Sequence, residues 1–154
     1  MENTILSIFT GIVIAFFSSW ITVKLALKKF REEKLWERKF DAYTKIIESL
    51  YHVKQQMADE ESYLIGEKDP NSIPDDEYKR LLSRYRISRE EIAKFKDFGA
   101  LIISEKAISM LDKYYKDSSE KTDDPYSEID NAWQAANSCL QGLIPLAKED
   151  LKYT

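Results

Sequence analysis

The sequence predicts an all-α protein with one N-terminal transmembrane helix that continues into an antiparallel cytoplasmic helical bundle. Three observations lead to this fold class. The 154 residues include only 4 Gly and 4 Pro, too few turn formers for an all-β fold. Residues 3–23 carry no charged side chain. Apolar residues then recur at helical spacing to the end of the chain. We therefore expect a transmembrane helix over residues 1–27 and a bundle over residues 28–154.

The uncharged run 3–23 has the length of a membrane-spanning helix. As a helix it would extend roughly 31 Å, and the hydrocarbon core of a bilayer is about 30 Å thick. A signal peptide would begin with basic residues, and an interfacial helix would carry a charged face; neither is present. A chain this small would also have difficulty burying such a helix on every side in a soluble core.

Cations follow the uncharged run and none precedes it, which sets the expected orientation. By the positive-inside rule the protein lies in the inner (cytoplasmic) membrane, with its N-terminus outside and its C-terminal domain cytoplasmic. The single cysteine, Cys139, fits a reducing compartment. The cations that follow the run are Lys24, Lys28, Lys29, Arg31, Lys34, Arg38 and Lys39.

Six small or polar residues of the run share one helix face, within a sector of about 120°. Small residues spaced by four allow helices to approach closely in lipid and to form hydrogen bonds with one another. Three interpretations stay open: chance, an association face between copies, or the lining of a narrow pore built by about four or more copies. The face comprises Asn3, Ser7, Gly11, Ala15, Ser18 and Thr22.

The first helix is predicted to continue well past the membrane, over about fifty residues, because residues 23–57 contain no Gly or Pro. Additional apolar residues at Ala42, Ile46 and Val53 give a face wide enough for a bundle. An apolar seam with steps of 4, 3, 4 and 3 comprises Trp36, Phe40, Tyr43, Ile47 and Leu50, loosely continued by Met57.

Three further helices are expected after the loop at 69–76. Ser88 with Glu91 resembles a capping box and predicts a bend or a new helix start near residue 87. Ser104 is expected to cap the third helix, and Gly142 with Pro145 to kink or break the fourth. The predicted inward residues are Tyr78, Leu81, Leu82 and Tyr85, then Ala107, Ile108, Leu111 and Tyr114 or Tyr115, and finally Ile129, Trp133, Ala136, Leu140, Leu143 and Ile144.

No catalytic constellation is evident in the sequence. His52, the only histidine, follows Glu48 by four residues, but no further metal ligands accompany the pair. Cys139 has no base nearby in sequence, so a buried apolar role is expected. The four glycines are scattered and form no phosphate loop. We therefore expect a protein that is not an enzyme and that holds neither a cofactor nor a metal.

A cluster of five cations within residues 79–89 is the one candidate ligand site. Arginine forks suit phosphates and tyrosines suit base stacking, which favours a nucleotide or oligonucleotide. The alternative is a solvated face paired with neighbouring carboxylates. Because residues 40–154 hold 16 Lys/Arg against 23 Asp/Glu, a broad duplex-binding surface is disfavoured. The candidate residues are Lys79, Arg80, Arg84, Tyr85, Arg86 and Arg89.

Residues 36–39, 42–43, 46–50, 99–105 and 146–151 resemble small bacterial proteins with one N-terminal anchor and a helical cytoplasmic domain. Among these, the chain is similar to the membrane effector of Hailong-type anti-phage defence systems. The resemblance implies an oligomeric membrane channel, held shut by an oligonucleotide from a partner nucleotidyltransferase and opened on infection.

Two functions are therefore expected. The first is a homo-oligomeric membrane effector, a tetramer or larger, that forms a gated ion channel or pore in antiviral defence under the control of a nucleotide or oligonucleotide. The alternative is a membrane-tethered adaptor or scaffold whose bundle binds a partner protein. Membrane lipid is a partner in both cases, and a partner nucleotidyltransferase belongs to the first.

Overall fold

A computed structural model describes residues 2–69 and 74–152 of the chain. Within these residues the protein is all-helical and has no strand, which confirms the predicted α class. The four helices are α1 (Glu2–Leu64), α2 (Asp75–Phe98), α3 (Glu105–Ser118) and α4 (Pro125–Lys152), with a short 3-10 turn at Gly99–Leu101.

Helix α1 has 63 residues, more than the fifty or so predicted, and contributes to two compact units. The N-terminal unit is Met1–Glu37 and the C-terminal unit is Arg38–Thr154. The predicted domain boundary at residue 27 concerned the membrane surface, and it stays a prediction.

In the N-terminal unit, large apolar side chains of α1 are exposed between Ile14 and Phe30. Phe16 is 71% exposed and Leu25 is 62% exposed. The side chains of residues 1–10, 12 and 13 lie outside the described part of the chain, so the predicted span 3–23 is described only in part. Across the residues that are described, no helix offers an apolar stretch long enough to cross a bilayer.

The C-terminal unit is an antiparallel bundle, as its side-chain contacts show. Lys54 Nζ of α1 donates a hydrogen bond to Asn137 Oδ1 of α4 at 2.8 Å. Further along α1, Glu61 Oε1 accepts a hydrogen bond at 2.9 Å from the Tyr126 hydroxyl, which lies earlier in α4. Residues later in α1 thus contact residues earlier in α4, so the two helices run in opposite directions.

Helices α2 and α3 are also antiparallel. The Tyr115 hydroxyl donates to the Arg89 carbonyl at 2.7 Å, and Lys96 pairs with Asp112 at 3.7 Å. Helix α3 also packs on α4, so sequential helices are neighbours and the last one returns to the first. This connectivity is the up-down-up-down arrangement of short-looped helical bundles.

The buried residues of α1 in the C-terminal unit differ in part from the predicted seam. Trp36 and Phe40 are 40% and 45% exposed, whereas burial begins at Ala42, and Ile46 is more deeply buried than Ile47. The seam prediction was therefore wrong in its first two members, whereas Ile47 is partly buried and packs against the core. The fully buried seam of α1 consists of Tyr43, Ile46, Leu50, Val53 and Met57.

The helix boundaries confirm one predicted cap, and they show no new helix start near residue 87 and no break at Gly142 and Pro145. Ser104 Oγ accepts a hydrogen bond from the Ala107 N–H at 3.4 Å and so caps α3 as expected. Helix α2 instead continues through Ser88, which is buried within the bundle, and α4 continues through Gly142 and Pro145. The other predicted outcomes, a bend near residue 87 and a kink at Gly142 and Pro145, stay predictions.

The N-terminal half of α2 packs less than predicted. Tyr78 is 50% exposed and Leu82 is 39% exposed, whereas Tyr85 and Ile92 belong to the packed face. The first turns of α2 therefore present much of their surface to solvent, and α2 is anchored mainly through its C-terminal half.

Candidate functional site: a cationic groove between α1 and α2

The five predicted cations point in different directions around α2. At about 100° per residue, Arg80 and Arg84 are about 40° apart, but Arg89 is about 180° from Arg80. Arg86 pairs with Glu90 at 3.8 Å on the exposed surface. The structure therefore does not bring the whole predicted cluster together; Arg80 and Arg84 share one face, as predicted.

Arg80 and Arg84 line a groove of about 440 Å³ between α1 and α2. From α1, Lys45 and His52 line the same groove. Three permanent cations and an imidazole thus come from two helices. The sequence offered no signal for Lys45 or His52, because the pairing of α1 with α2 brings together residues about thirty positions apart.

Two carboxylates, Glu48 of α1 and Glu91 of α2, also line the groove. With His52 neutral, the lining residues carry a net charge of about +1. The C-terminal unit as a whole is acidic, with 18 Lys/Arg against 23 Asp/Glu in residues 38–154. The groove is therefore a local cationic site on an acidic body.

The remaining lining side chains suit a polar anion. Ser49, Ser83 and Ser88 contribute hydroxyls, and Ile87 is the apolar residue beside them. Hydroxyls can donate to phosphate oxygens alongside the guanidinium forks of Arg80 and Arg84. The groove therefore contains donor groups of the kind that oxyanions accept hydrogen bonds from.

A second depression, of about 290 Å³, adjoins the groove and shares His52 and Arg84 with it. Tyr51 and Tyr85 line this depression from opposite helices, and Gln55 contributes an amide. The rings of Tyr51 and His52 are 6.0 Å apart in an edge-on arrangement. An aromatic and amide-bearing surface thus lies directly beside the cationic groove.

Arg89 is engaged elsewhere in the bundle. Its Nη1 donates to the Tyr85 hydroxyl at 3.3 Å, and its guanidinium lies 5.8 Å from the centre of the Tyr85 ring. The Arg89 carbonyl accepts the hydroxyl of Tyr115. These contacts give Arg89 a structural role that links α2 to α3. Lys79 is exposed.

The predicted small-residue face is described only from Gly11 onwards, since the side chains of Asn3 and Ser7 lie outside the described residues. Gly11, Ala15, Ser18 and Thr22 are exposed on α1. The Thr22 hydroxyl donates to the Ser18 carbonyl at 2.8 Å, which satisfies it within its own helix. A Cβ atom added at Gly11 would meet no atom within 4 Å apart from its chain neighbours and the backbone of its own helix.

A polar network that sequence reasoning missed ties three helices together. The Tyr43 hydroxyl of α1 donates to Asp150 Oδ2 of α4 and accepts from the backbone N–H of Ser104 at 3.4 Å. Burial, and then the hydrogen bond to Asp150, raise the pKa of Tyr43 above its ordinary value. The phenol therefore stays protonated and holds the start of α3 beside the end of α4.

Cys139 lies in the core, as expected. Desolvation raises the pKa of its thiol to about 12, so at neutral pH the thiolate that a nucleophile requires is absent. Among the residues that the structure describes, no group of three or more His, Cys, Asp or Glu side chains is placed to hold a metal ion.

The fold and the groove together describe a helical-bundle protein with a groove lined by Lys45, Arg80 and Arg84 between its first two helices and an exposed apolar segment on its first helix. The chain matches no protein-family model, no curated protein and no solved structure.

Proposed function

We propose that the protein is a membrane-anchored, homo-oligomeric effector that forms a gated ion channel or pore in bacterial anti-phage defence, under the control of a nucleotide or oligonucleotide. Its N-terminal segment crosses the inner membrane, and the C-terminal unit faces the cytoplasm. The resemblance to Hailong-type effectors suggests a partner nucleotidyltransferase as the source of the signal.

The observation that carries the proposal is the exposure of apolar side chains along α1. From Ile14 to Leu27 the large apolar residues expose half or more of their surface, including Phe17 at 57% and Trp20 at 50%. Contiguous apolar surface of this kind marks contact with a membrane or another chain. Together with the uncharged sequence of residues 3–23, it supports a helix covered by lipid and by neighbouring copies.

The boundary of the uncharged run supports the same orientation. Lys24 Nζ lies 4.1 Å from the centre of the Trp20 ring, which combines an interfacial aromatic residue with a snorkelling cation. The cations that continue from Lys24 to Lys39 would remain on the cytoplasmic side.

Membrane potential in cells that express the protein tests the channel. We expect depolarisation either in the presence or in the absence of the nucleotide signal. We expect no depolarisation when a substitution blocks contact between copies at the small-residue face of α1. Correct insertion is checked separately by protease accessibility of the C-terminal unit from the cytoplasmic side. Inserted protein that never depolarises the membrane, with or without nucleotide, would refute the channel.

Gly11→Leu is the sharpest variant for this test. The Cβ atom of the leucine would meet no atom within 4 Å apart from its chain neighbours and its own helix backbone, and leucine favours a helix more than glycine does, so we expect the monomer to fold. A loss of depolarisation would therefore report contact between copies. Phe16→Leu, which keeps an apolar side chain on the same exposed segment, serves as the matched control and should remain active.

The alternative function is a membrane-tethered adaptor, and one observation favours it. At the connector between α2 and α3, Phe98 is 73% exposed and Leu101 is 89% exposed, a surface that a partner protein could cover. An adaptor should tolerate leucine at both Gly11 and Ser18 but lose partner capture when Leu101→Asp is introduced. A channel should show the opposite pattern.

A further inference from the structure

We infer that the groove and the adjoining depression bind a single nucleotide unit, with its phosphate in the groove and its base in the depression. The inference rests on the nucleotide control proposed above, and it assigns the site, the orientation and the number of nucleotide units that touch each chain. Both cavities lie within the C-terminal unit.

Charge and donor geometry favour the phosphate in the groove. Lys45, Arg80 and Arg84 supply permanent positive charge from both walls. Serine hydroxyls beside them supply neutral donors, as at many phosphate sites. A phosphate there would also reduce the repulsion between Arg80 and Arg84, which are one helical turn apart on the same face.

The depression offers what a base requires. Tyr51 is 51% exposed and has an accessible ring, and Tyr85 lines the opposite wall. Gln55 has both a donor and an acceptor, which can pair with a base edge. Two other polar residues of the depression are engaged: Gln56 donates to Glu60 at 3.1 Å, and Asp59 pairs with Lys68 at 2.6 Å.

The shared wall fixes the distance between the two halves of the ligand. Because His52 and Arg84 line both cavities, the two cavities are adjacent, as the phosphate and the base of one nucleotide are. Volumes of about 440 Å³ and about 290 Å³ together suit a small-molecule ligand, for which pockets of about 300–1,000 Å³ are usual. An oligonucleotide would therefore place one of its units here.

Calorimetry on the full chain in detergent tests the inference with inorganic phosphate and each common nucleoside monophosphate as probes. Stacking contributes about 1–3 kcal/mol per base, so at least one monophosphate should bind roughly 5- to 150-fold more tightly than inorganic phosphate. Ring resonances of His52, the only histidine, should shift when that nucleotide is added.

Three variants separate the two halves of the site. Arg84→Gln should weaken binding of both phosphate and nucleotide about tenfold or more, because it removes a guanidinium group that lines both cavities. Tyr51→Leu should weaken nucleotide binding to the level of inorganic phosphate and leave phosphate binding unchanged. Tyr51→Phe retains the ring and should restore nucleotide affinity, which excludes misfolding as the cause.

Arg86→Gln is the matched control, since it removes a cation of the same helix that pairs with Glu90 at the exposed surface. Equal loss in Arg84→Gln and Arg86→Gln would overturn the inference, as would equal affinity for phosphate and every nucleotide, or no binding at all. Absent binding with intact depolarisation would overturn this site alone. Binding as expected in a protein that never depolarises membranes would support the site and count against the channel.

Discussion

The two halves of α1 carry apolar side chains of similar size, yet these side chains have opposite surroundings. In the C-terminal unit, Ile46 and Leu50 are fully buried; in the N-terminal unit, Phe16 and Leu25 are 71% and 62% exposed. The difference lies in the partners that the chain supplies. Three further helices follow residue 64 and form a core with the second half of α1. In the described part of the first half, by contrast, the large apolar side chains from Ile14 to Leu27 are exposed.

The largest effect should come from exchanging leucine for alanine in each half of α1. Leu50→Ala creates a cavity in the bundle, and we expect it to lower the free energy of unfolding by about 2–5 kcal/mol. Leu25→Ala is the matched control and should change it by less than about 0.5 kcal/mol. Chemical unfolding of the full chain in detergent measures both. A similar loss in the two variants would contradict the contrast between the halves.

Much of the fold could be predicted from the sequence, because helix caps and buried helix faces are determined by residues within one segment. The cap at Ser104 and the buried face Ala107, Leu111 and Tyr114 of α3 were predictable from one segment each. The choice of Ile46 over Ile47 was not, since both lie near the edge of the same stripe. Spacing within α1 cannot rank the two side chains, because the burial of each depends on how the neighbouring helices lie against α1.

The same reason limited prediction of the site. Arg80 and Arg84 were placed on one face correctly, because four residues make nearly one helical turn. That Lys45 and His52 complete the groove depends on α1 and α2 lying side by side, which no spacing within either helix reveals. Arg89 was grouped with the cluster by sequence proximity, although its position around the helix directs it to Tyr85.

The network at Tyr43 gives a second test of where the enclosed half of α1 begins. Tyr43→Phe removes the hydrogen bonds of the hydroxyl to Asp150 and to the Ser104 N–H, at a cost of about 1–3 kcal/mol in unfolding free energy. Tyr51→Phe, at an exposed position of the same helix, should have little effect on stability. If both variants unfold at the wild-type denaturant concentration, Tyr43 does not contribute as the network implies.

The smallest of these effects is a pH dependence confined to the bundle. Since the folded state raises the pKa of Cys139 from 9.0 to about 12, the thiol stabilises the fold fully below pH 9. This contribution is lost as pH rises towards 12. Between pH 9 and pH 10 the wild type should lose about 1 kcal/mol relative to Cys139→Ala. Parallel profiles for the two proteins would mean that the thiol titrates alike when folded and unfolded.

The hydrogen bond from Tyr43 to Asp150 joins residues 107 positions apart, whereas Tyr115 and Arg89 are only 26 apart. Hairpins of neighbouring helices form quickly because their loops are short. Contact between the first and last helices closes the longest loop and therefore costs the most chain entropy, so we expect it to form last. During synthesis, moreover, Asp150 leaves the ribosome after all of α1, α2 and α3. The ring of helices can therefore close only when most of α4 has been made, after the hairpins of neighbouring helices have had time to form.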